Sequence, residues 1–177
     1  MRNDFVMKWI KKLYLLFAIF TMCYSSSFAQ KAKYQVDIIY RLSKHITWPE
    51  TVNDSKFVIG VLGSKKDFQS FQELAVNKSG YKKSPMEVRY FENNDAIEDC
   101  QILYISKEYT MEIRDVLKKT KNQPVLIISD EEGYGELGSV INFVDTEGKL
   151  KFELNQAQAD KRGLQVSEKL KKIAIII

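Results

Sequence analysis

Two reactive side chains stand out, because His45 and Cys100 are the only histidine and the only cysteine after residue 29. A cysteine nucleophile needs a histidine within hydrogen-bond reach to take its proton. His45 comes late in a predicted helix, whereas Cys100 comes just before a predicted buried strand, and no third residue is evident that would orient the histidine. We therefore expect Cys100 to be a core residue, as most unpaired cysteines are, and we expect no Cys–His catalytic pair.

A glycine-rich segment, Gly133–Gly138, matches the G-x-G-x-x-G pattern of dinucleotide-binding loops. Those loops present backbone amides to a pyrophosphate at the start of a helix. Here a strand from Ser139 onward is predicted after the third glycine, and Asp130, Glu131 and Glu132 would repel a phosphate. The segment is therefore predicted to be a structural loop between two strands, and no nucleotide cofactor is expected.

Two pairs of neighbouring carboxylates, Glu131/Glu132 and Glu98/Asp99, could in principle supply a general acid. Neighbouring acidic residues on loops are usually solvated, which makes them poor general acids. A separate point concerns metals, because one histidine and two cysteines cannot supply a zinc site of Cys and His ligands. No nucleophile elbow or metal motif is present in the sequence. We expect no catalytic residue, no metal and no cofactor.

An aromatic residue locked by proline, Trp48-Pro49, follows the first predicted helix. Such a tryptophan either fills the core or anchors a protein interface, where Trp is enriched. The sequence leaves both alternatives open. We assign the helix exit from His45 to Pro49, together with Tyr134 of the glycine-rich loop, as candidate partner-binding residues.

The first 29 residues have the order of a cleaved secretory signal peptide. A basic start is followed by the apolar run Leu13–Tyr24 and by Ser27–Ala29, whose small first and third residues suit cleavage before Gln30. The apolar run is too short for a membrane anchor, which needs roughly 20 residues. We therefore predict export to the periplasm and one domain at residues 30–177.

Loss of the signal peptide changes the charge balance. It takes four of the 27 basic residues and one of the 23 acidic residues, so that 23 basic and 22 acidic residues remain and the net charge falls from +4 to +1. A nearly neutral domain gives no electrostatic argument for nucleic-acid binding. Because Cys100 is then the single cysteine, an internal disulfide is excluded even in an oxidising compartment.

Helical and apolar segments alternate through the rest of the chain. Strands are predicted at 57–62, 86–90, 102–105, 125–128, 140–144 and 150–154, and helices at 32–46, after Ser64, from Ser106 to 119, after Asn155 and after Ser167. This order predicts an α/β fold: a single three-layer domain with a central, mostly parallel six-stranded sheet, a C-terminal antiparallel hairpin and helices on both faces. The final segment, 173–177, should pack on the domain or pair at an edge of the sheet.

Several segments in this order resemble the YfiR family of periplasmic regulators. The matching pieces are Tyr40-x-Leu42-x-Lys44 before Trp48-Pro49, Ile59–Gly63, Cys100 before Leu103–Ser106, Pro124–Leu126 before Ser129-Asp130, Gly133, Ile141–Phe143, Phe152–Asn155 and Gly163-Leu164-x-Val166-Ser167-x-x-Leu170-x-x-Ile173-Ala174. Together these pieces extend over nearly all of the chain after residue 29.

The resemblance implies a periplasmic α/β domain without catalytic activity. In the family, the regulator binds the periplasmic sensor region of a membrane diguanylate cyclase and represses it, which lowers cyclic-di-GMP and biofilm formation, and homodimers are known. Family members can carry several cysteines joined in disulfides, so the single Cys100 after residue 29 is a departure, and we expect no redox control through an internal disulfide here.

Three functions follow as hypotheses. The first is a periplasmic regulator that inhibits a membrane signalling protein, plausibly a diguanylate cyclase and otherwise a sensor histidine kinase. The second is a periplasmic small-ligand sensor with a pocket at the carboxyl edge of the sheet, which Tyr134 or Trp48 could line. The third, an enzyme such as a hydrolase, has no motif to support it.

Overall fold

The computed structural model describes residues 7, 11–12, 34–50, 55–76 and 78–177. Apart from Met7, Lys11 and Lys12, the predicted signal peptide lies outside the described residues, and so do the first two residues of the predicted first helix. Within the part of the chain that the structure describes, every helix is too short or too polar to cross a membrane.

The described residues contain nine strands. In chain order they are β1 (Ile46–Thr47), β2 (Phe57–Leu62), β3 (Met86–Phe91), β4 (Ile102–Ile105), β5 (Leu126–Ser129), β6 (Ile141–Thr146), β7 (Lys149–Leu154), β8 (Gln165–Val166) and β9 (Ile175–Ile176). Seven of them form one sheet in the order β3-β2-β4-β5-β6-β7-β9, while β1 and β8 pair separately. Strands β2 to β6 are parallel and β6–β7 is an antiparallel hairpin, which confirms the predicted mostly parallel α/β fold.

Helices cover both faces of this sheet. They are α1 (34–43), α2 (Lys65–Ala75), α3 (Ile113–Lys119), α4 (Tyr134–Leu137), α5 (Gln156–Lys161) and α6 (Glu168–Lys171), and a 3-10 helix at Lys107–Glu112 leads into α3. The predicted α2 begins at a capping box in which the Ser64 and Asp67 side chains each bond the other's backbone amide.

Strand β2 shows why the sheet has two cores. Its six residues are all buried, because alternate side chains point to opposite faces and both faces are covered. Phe57, Ile59 and Val61 join the first core, with side chains from α1, α2, α5 and α6. Val58 and Leu62 join the second core, with side chains from α3. The molecule is therefore a three-layer domain.

The first helix is shorter than predicted. The sequence pattern extends it to Ile46, but the described helix ends at residue 43 and Ile46 lies in β1, opposite Val166 of β8. The backbone amide of Ser167 also donates to the carbonyl of His45, at 3.0 Å. Pairing with a segment 120 residues later in the chain thus competes successfully with helix continuation, which local periodicity cannot show.

The sheet has seven strands where six were predicted, because the last residues of the chain add β9 beside β7. This confirms the expectation that segment 173–177 packs on the domain or pairs at an edge. The glycine-rich loop also differs from the prediction, since it contains the short helix α4 directly after Gly133, whose φ of 80° suits glycine. That helix is four residues long and leads into β6 through Gly138.

Candidate functional site

The carboxyl ends of the parallel strands leave an open cleft. The order β3-β2-β4-β5-β6 is the doubly wound arrangement in which ligands usually bind at this end of the sheet. The cleft has a volume of about 440 Å³, and its lining residues are Gln35, Lys107, Asp130, Glu131, Glu132, Phe143, Val144, Asp145, Thr146, Leu150, Glu153 and Ile175. We call it the acidic cleft, because five of these residues are carboxylates and Lys107 is the one cation among them.

Asp130 forms one wall of the acidic cleft. It follows directly after β5, and its Oδ2 accepts a hydrogen bond of 3.0 Å from the Tyr104 hydroxyl of the neighbouring strand β4. Burial, reinforced by the charge of Asp130, raises the pKa of Tyr104 well above its ordinary value. Tyr104 therefore remains a protonated donor at neutral pH and holds the Asp130 carboxylate in place.

Glu153 forms the opposite wall and is held by a buried polar chain. The Asn142 Nδ2 donates to Glu153 Oε2 at 2.9 Å, and the Ser129 hydroxyl lies 2.8 Å from Asn142 Oδ1 and 2.7 Å from the Ser139 hydroxyl. Ser129 has a single hydroxyl proton, so it donates to Asn142 and accepts from Ser139. These three supporting residues are fully buried, which fixes the orientation of Glu153 from beneath.

The rest of the lining is mixed in character. Lys107 forms an ion pair with Glu131 at 3.1 Å, and its side chain is largely exposed, so it neutralises little of the cleft's charge. Phe143 is buried, and the exposed Ile175 and the half-buried Leu150 add an apolar side. The arrangement suits a group that is cationic at one end and apolar at the other.

The geometry offers little for catalysis or for metals. Across the described residues, no three His, Cys, Asp or Glu side chains are grouped so that they could hold a metal ion. Cys100 is buried in the second core, and burial raises the pKa of its thiol to about 12, so it stays protonated. His45 follows α1, which packs on the first core on the other side of the sheet. The Cys–His pair is therefore not assembled.

Trp48 lies in the core. Its side chain is 2% exposed, its ring packs edge-on against Phe57 with centroids 5.2 Å apart, and its indole Nε1 donates to the Gln101 carbonyl at 3.2 Å. Of the two alternatives that the sequence left open, the structure places the tryptophan side chain in the first core. The exposed Thr47 and the half-buried His45 and Pro49 are the parts of this segment that reach the surface.

The four candidate partner-binding residues do not lie on one surface. Tyr134 is half-buried and packs against the second core, whereas Trp48 belongs to the first. Neither of them lines the acidic cleft. The carboxyl edge of the sheet was the expected place for a pocket, but Asn142 and Glu153 were not singled out, since their signal is only that polar residues interrupt two apolar strands.

Comparison with known protein families gives a match over most of the chain. A family model described as YfiR/HmsC-like matches residues 32–175. No curated protein matches the chain.

Two solved structures share the fold. One is described as an ABC domain in complex with L-Trp from Streptococcus pneumoniae, with a TM-score of 0.56, 14% identity, and coverage of 82% of this chain and 60% of that one. The other is a conserved domain protein from Vibrio cholerae, with a TM-score of 0.51, 10% identity, and coverage of 82% and 59%. The chain thus spans about three fifths of the length of each, and at these identities the likeness concerns the fold alone.

Proposed function

The chain belongs to the YfiR/HmsC-like family, and from that premise we propose that it is a non-catalytic periplasmic regulator that binds the periplasmic sensor region of a membrane diguanylate cyclase and holds it inactive. The observation that carries the proposal is the family match over residues 32–175, which takes in both cores and the acidic cleft. The family suggests a periplasmic regulator of diguanylate cyclase. Two parts of the proposal go beyond the family match, namely that the chain inhibits the cyclase and which cyclase it binds.

A contact-based role agrees with the chemistry of the molecule. The thiol of Cys100 is buried and protonated, and the cleft carboxylates of Asp130 and Glu153 are held in place by hydrogen bonds. Inhibition by contact needs a rigid surface and no reacting group. We propose that the surface around His45 and Pro49 contributes to this contact, with the buried Trp48 fixing its shape from beneath.

Deleting the gene tests the regulatory role. We expect cyclic-di-GMP and biofilm mass to rise in the deletion strain and to return on complementation with the intact gene, measured by mass spectrometry of nucleotide extracts and by surface staining. Unchanged cyclic-di-GMP would rule out the cyclase as the target. A sensor histidine kinase would then become the preferred partner.

The surface assignment is tested separately. Complementation with His45→Ala or Pro49→Ala should restore less repression than the wild-type gene, whereas Tyr134→Phe, which keeps the ring that packs on the second core, should restore it fully. Immunoblots of the periplasmic fraction control for the amount of each variant. Full repression by the first two variants would remove the helix exit from the proposed interface.

A small-ligand sensor is the second candidate, because the 440 Å³ acidic cleft has the size and position of a ligand site. Thermal-shift measurements against a panel of periplasmic metabolites, L-Trp included, test it. A compound that stabilises the wild-type protein but not a Glu153→Gln variant would support a ligand at this cleft. Equal stabilisation of the two would place the compound elsewhere.

A further inference from the structure

The outer side of β7, at one edge of the main sheet, is only partly covered by β9. β9 pairs with Glu153 and Leu154, the final two of the six residues of β7, and the next contact is the amide of Ile177, which donates to the Leu154 carbonyl at 3.1 Å. Before β9 the chain lies in α6 and a turn. We call the uncovered part of β7, Lys149–Phe152, the open edge.

The open edge presents backbone groups that are unpaired within the described part of the chain. In an antiparallel pair, successive residues direct their amides and carbonyls alternately toward the partner strand and away from it. Because Leu154 directs its carbonyl to the Ile177 amide, Phe152 and Leu150 direct theirs outward as well. Among the described residues, none hydrogen bonds with these outward groups. An unpaired strand edge of this kind is a template for another extended chain.

The surroundings of the open edge are apolar along the sheet. Ile175 and Ile176 of β9 are 40% and 52% exposed, and Ile177 is 40% exposed. Leu150 and Phe152 are half-buried, with side chains packed against the first core. Exposed side chains of this size in one contiguous group mark interaction surfaces more often than isolated ones do.

The acidic cleft adjoins the same edge. Leu150, Glu153 and Ile175 line it, so that a chain added to the open edge passes its mouth. Glu153 is held in place by Asn142, and Asp145 precedes β7 across the hairpin turn. Lys149 and Lys151 extend from the same face of β7 as Glu153, and Ile175 already lies opposite Glu153, so a basic side chain of the added strand reaches Glu153 diagonally from the position beside Lys151.

We propose that the open edge binds an extended segment of a partner protein as an additional β-strand, with apolar side chains against Leu150, Phe152 and Ile175 and one lysine or arginine entering the acidic cleft beside Glu153. The backbone edge selects an extended chain over a globular surface, and the five carboxylates of the cleft select a cationic side chain over an anionic one. The four residues of the open edge span about 13 Å, enough for a tetrapeptide core. This inference does not rest on the proposed function.

Binding of synthetic peptides to the full chain tests the proposal directly. The probe is a fluorescein-labelled hexapeptide, Thr-Val-Lys-Val-Thr-Val, followed by fluorescence anisotropy. Two forms of it are N-methylated at alternate residues, one set facing the sheet edge and the other facing away. We expect binding of the unmodified probe, loss of about tenfold or more in affinity for one N-methylated form, and little change for the other.

The charge requirement has its own matched comparison. Replacing the probe lysine by glutamate, or Glu153 by glutamine in the protein, should each weaken binding, by about threefold to tenfold. Glu87→Gln on β3, at the far edge of the sheet, is the control variant and should leave the affinity unchanged. Circular dichroism confirms that both variants are folded.

Three results would overturn the proposal. They are no binding at probe concentrations of about 1 mM, equal binding of the two N-methylated forms, and equal loss of affinity in the Glu87→Gln and Glu153→Gln variants. The first result removes the strand site altogether. The second replaces strand addition by side-chain contact, and the third shows nonspecific charge attraction.

Discussion

At one edge of the main sheet, the six residues of β3 pair along their whole length with β2, whereas at the other edge β9 covers two of the six residues of β7. The β3 edge also carries a network of charges. Glu87 bonds Lys56 at 2.9 Å and Arg89 at 2.7 Å, and Arg89 reaches Glu98 at 3.2 Å. Hydrogen bonds from Arg89 and Lys56 hold the pKa of Glu87 below its ordinary value, so it remains charged.

The two edges show how one sheet can resist the addition of another strand at one edge and accept it at the other. Charged side chains on an edge strand discourage pairing with another chain, because added strands would have to desolvate them. At the opposite edge the exposed residues of β9 are isoleucines, and protection rests on the shortness of β9. The open edge also carries two exposed lysines, Lys149 and Lys151, so the edges differ in that β3 has an ion-pair network whereas exposed isoleucines of β9 adjoin the open edge. We take the exposed isoleucines as the reason to prefer this edge as a contact surface.

The largest expected effect compares one glycine near each edge. A Cβ at Gly80, in the loop before β3, would collide with Phe57 Cβ, whereas at Gly135, beside β9, it would meet the flexible ends of Glu153 and Ile177 at 2.6 Å. Gly80→Ala should therefore lower the free energy of unfolding by about 3 kcal/mol and Gly135→Ala by about 1 kcal/mol or less. Urea titration of both variants measures the difference, and equal losses would show that the two edges are equally rigid.

The second effect concerns the buried polar chain beneath the open edge. Asn142→Ala leaves the hydroxyl of Ser129 and the carboxylate of Glu153 without this partner, and should cost about 2 kcal/mol of unfolding free energy. Asn93→Ala is the control near the other edge, because it removes an exposed cap bond to the Ala96 amide and should cost about 1 kcal/mol or less. If the two variants lost the same free energy, Asn142 would not have the proposed supporting role.

The third effect uses Cys100, which lies beneath the charged edge, close to Gly60 and Arg89. Burial raises the pKa of its thiol from 9.0 to about 12. A raised thiol pKa stabilises the folded state at pH values below 9, and that contribution is lost as the pH rises from 9 toward 12. At pH 10 the loss should be about 1 kcal/mol.

Comparison of urea titrations at pH 8 and pH 10 for the wild type and Cys100→Ala measures this loss. The alanine variant, although less stable at both pH values, should lack this component of the pH dependence.

Thiol labelling compares the two edges directly. An exposed thiol at the other edge, introduced by Ile175→Cys in a Cys23→Ser background, should react quickly with iodoacetamide at pH 8, whereas Cys100 should not. Rapid reaction of Cys100 would mean that the charged edge opens readily.

The smallest effect on stability is expected from the charges of β3. Glu87→Val with Arg89→Val should change the unfolding free energy little, because both side chains are partly exposed and their ion pairs are screened. The double variant should instead associate as its concentration rises, measured by sedimentation velocity, because an uncharged β3 becomes a template for pairing. Lys149→Val with Lys151→Val makes the same change at the open edge and, by the same argument, should also increase association. If the β3 variant stays as monomeric as the wild type, its charges do not protect that edge.

Much of the fold could be predicted from local patterns. The continuous apolar run of β2 and the capping residues Ser64, Asn155 and Ser167 act over a few residues, and each lies where it was predicted. The hairpin turn before Gly148 belongs with them, since Gly148 has a φ of 74°.

The departures share one cause, namely pairing between distant segments. Ile46 leaves the predicted helix because it meets Val166, and Ile175 becomes a seventh strand because it meets Glu153. Tyr134 and Trp48 belong to different cores, which no spacing along the chain reveals. Likewise, the acidic cleft collects residues from Gln35 to Ile175, and its membership follows from strand order.

The sequence by itself determined the class of fold, the positions of most helices and strands, and the family resemblance, because those depend on periodicity, caps and motif order within short stretches. Only the tertiary structure places ion-paired charges on β3 at one edge of the sheet and two isoleucines of β9 beside the acidic cleft at the other. Strand order sets which residues meet at an edge, and it is fixed by pairing between segments that are not neighbours along the chain, such as Ile59 of β2 with Ile102 of β4.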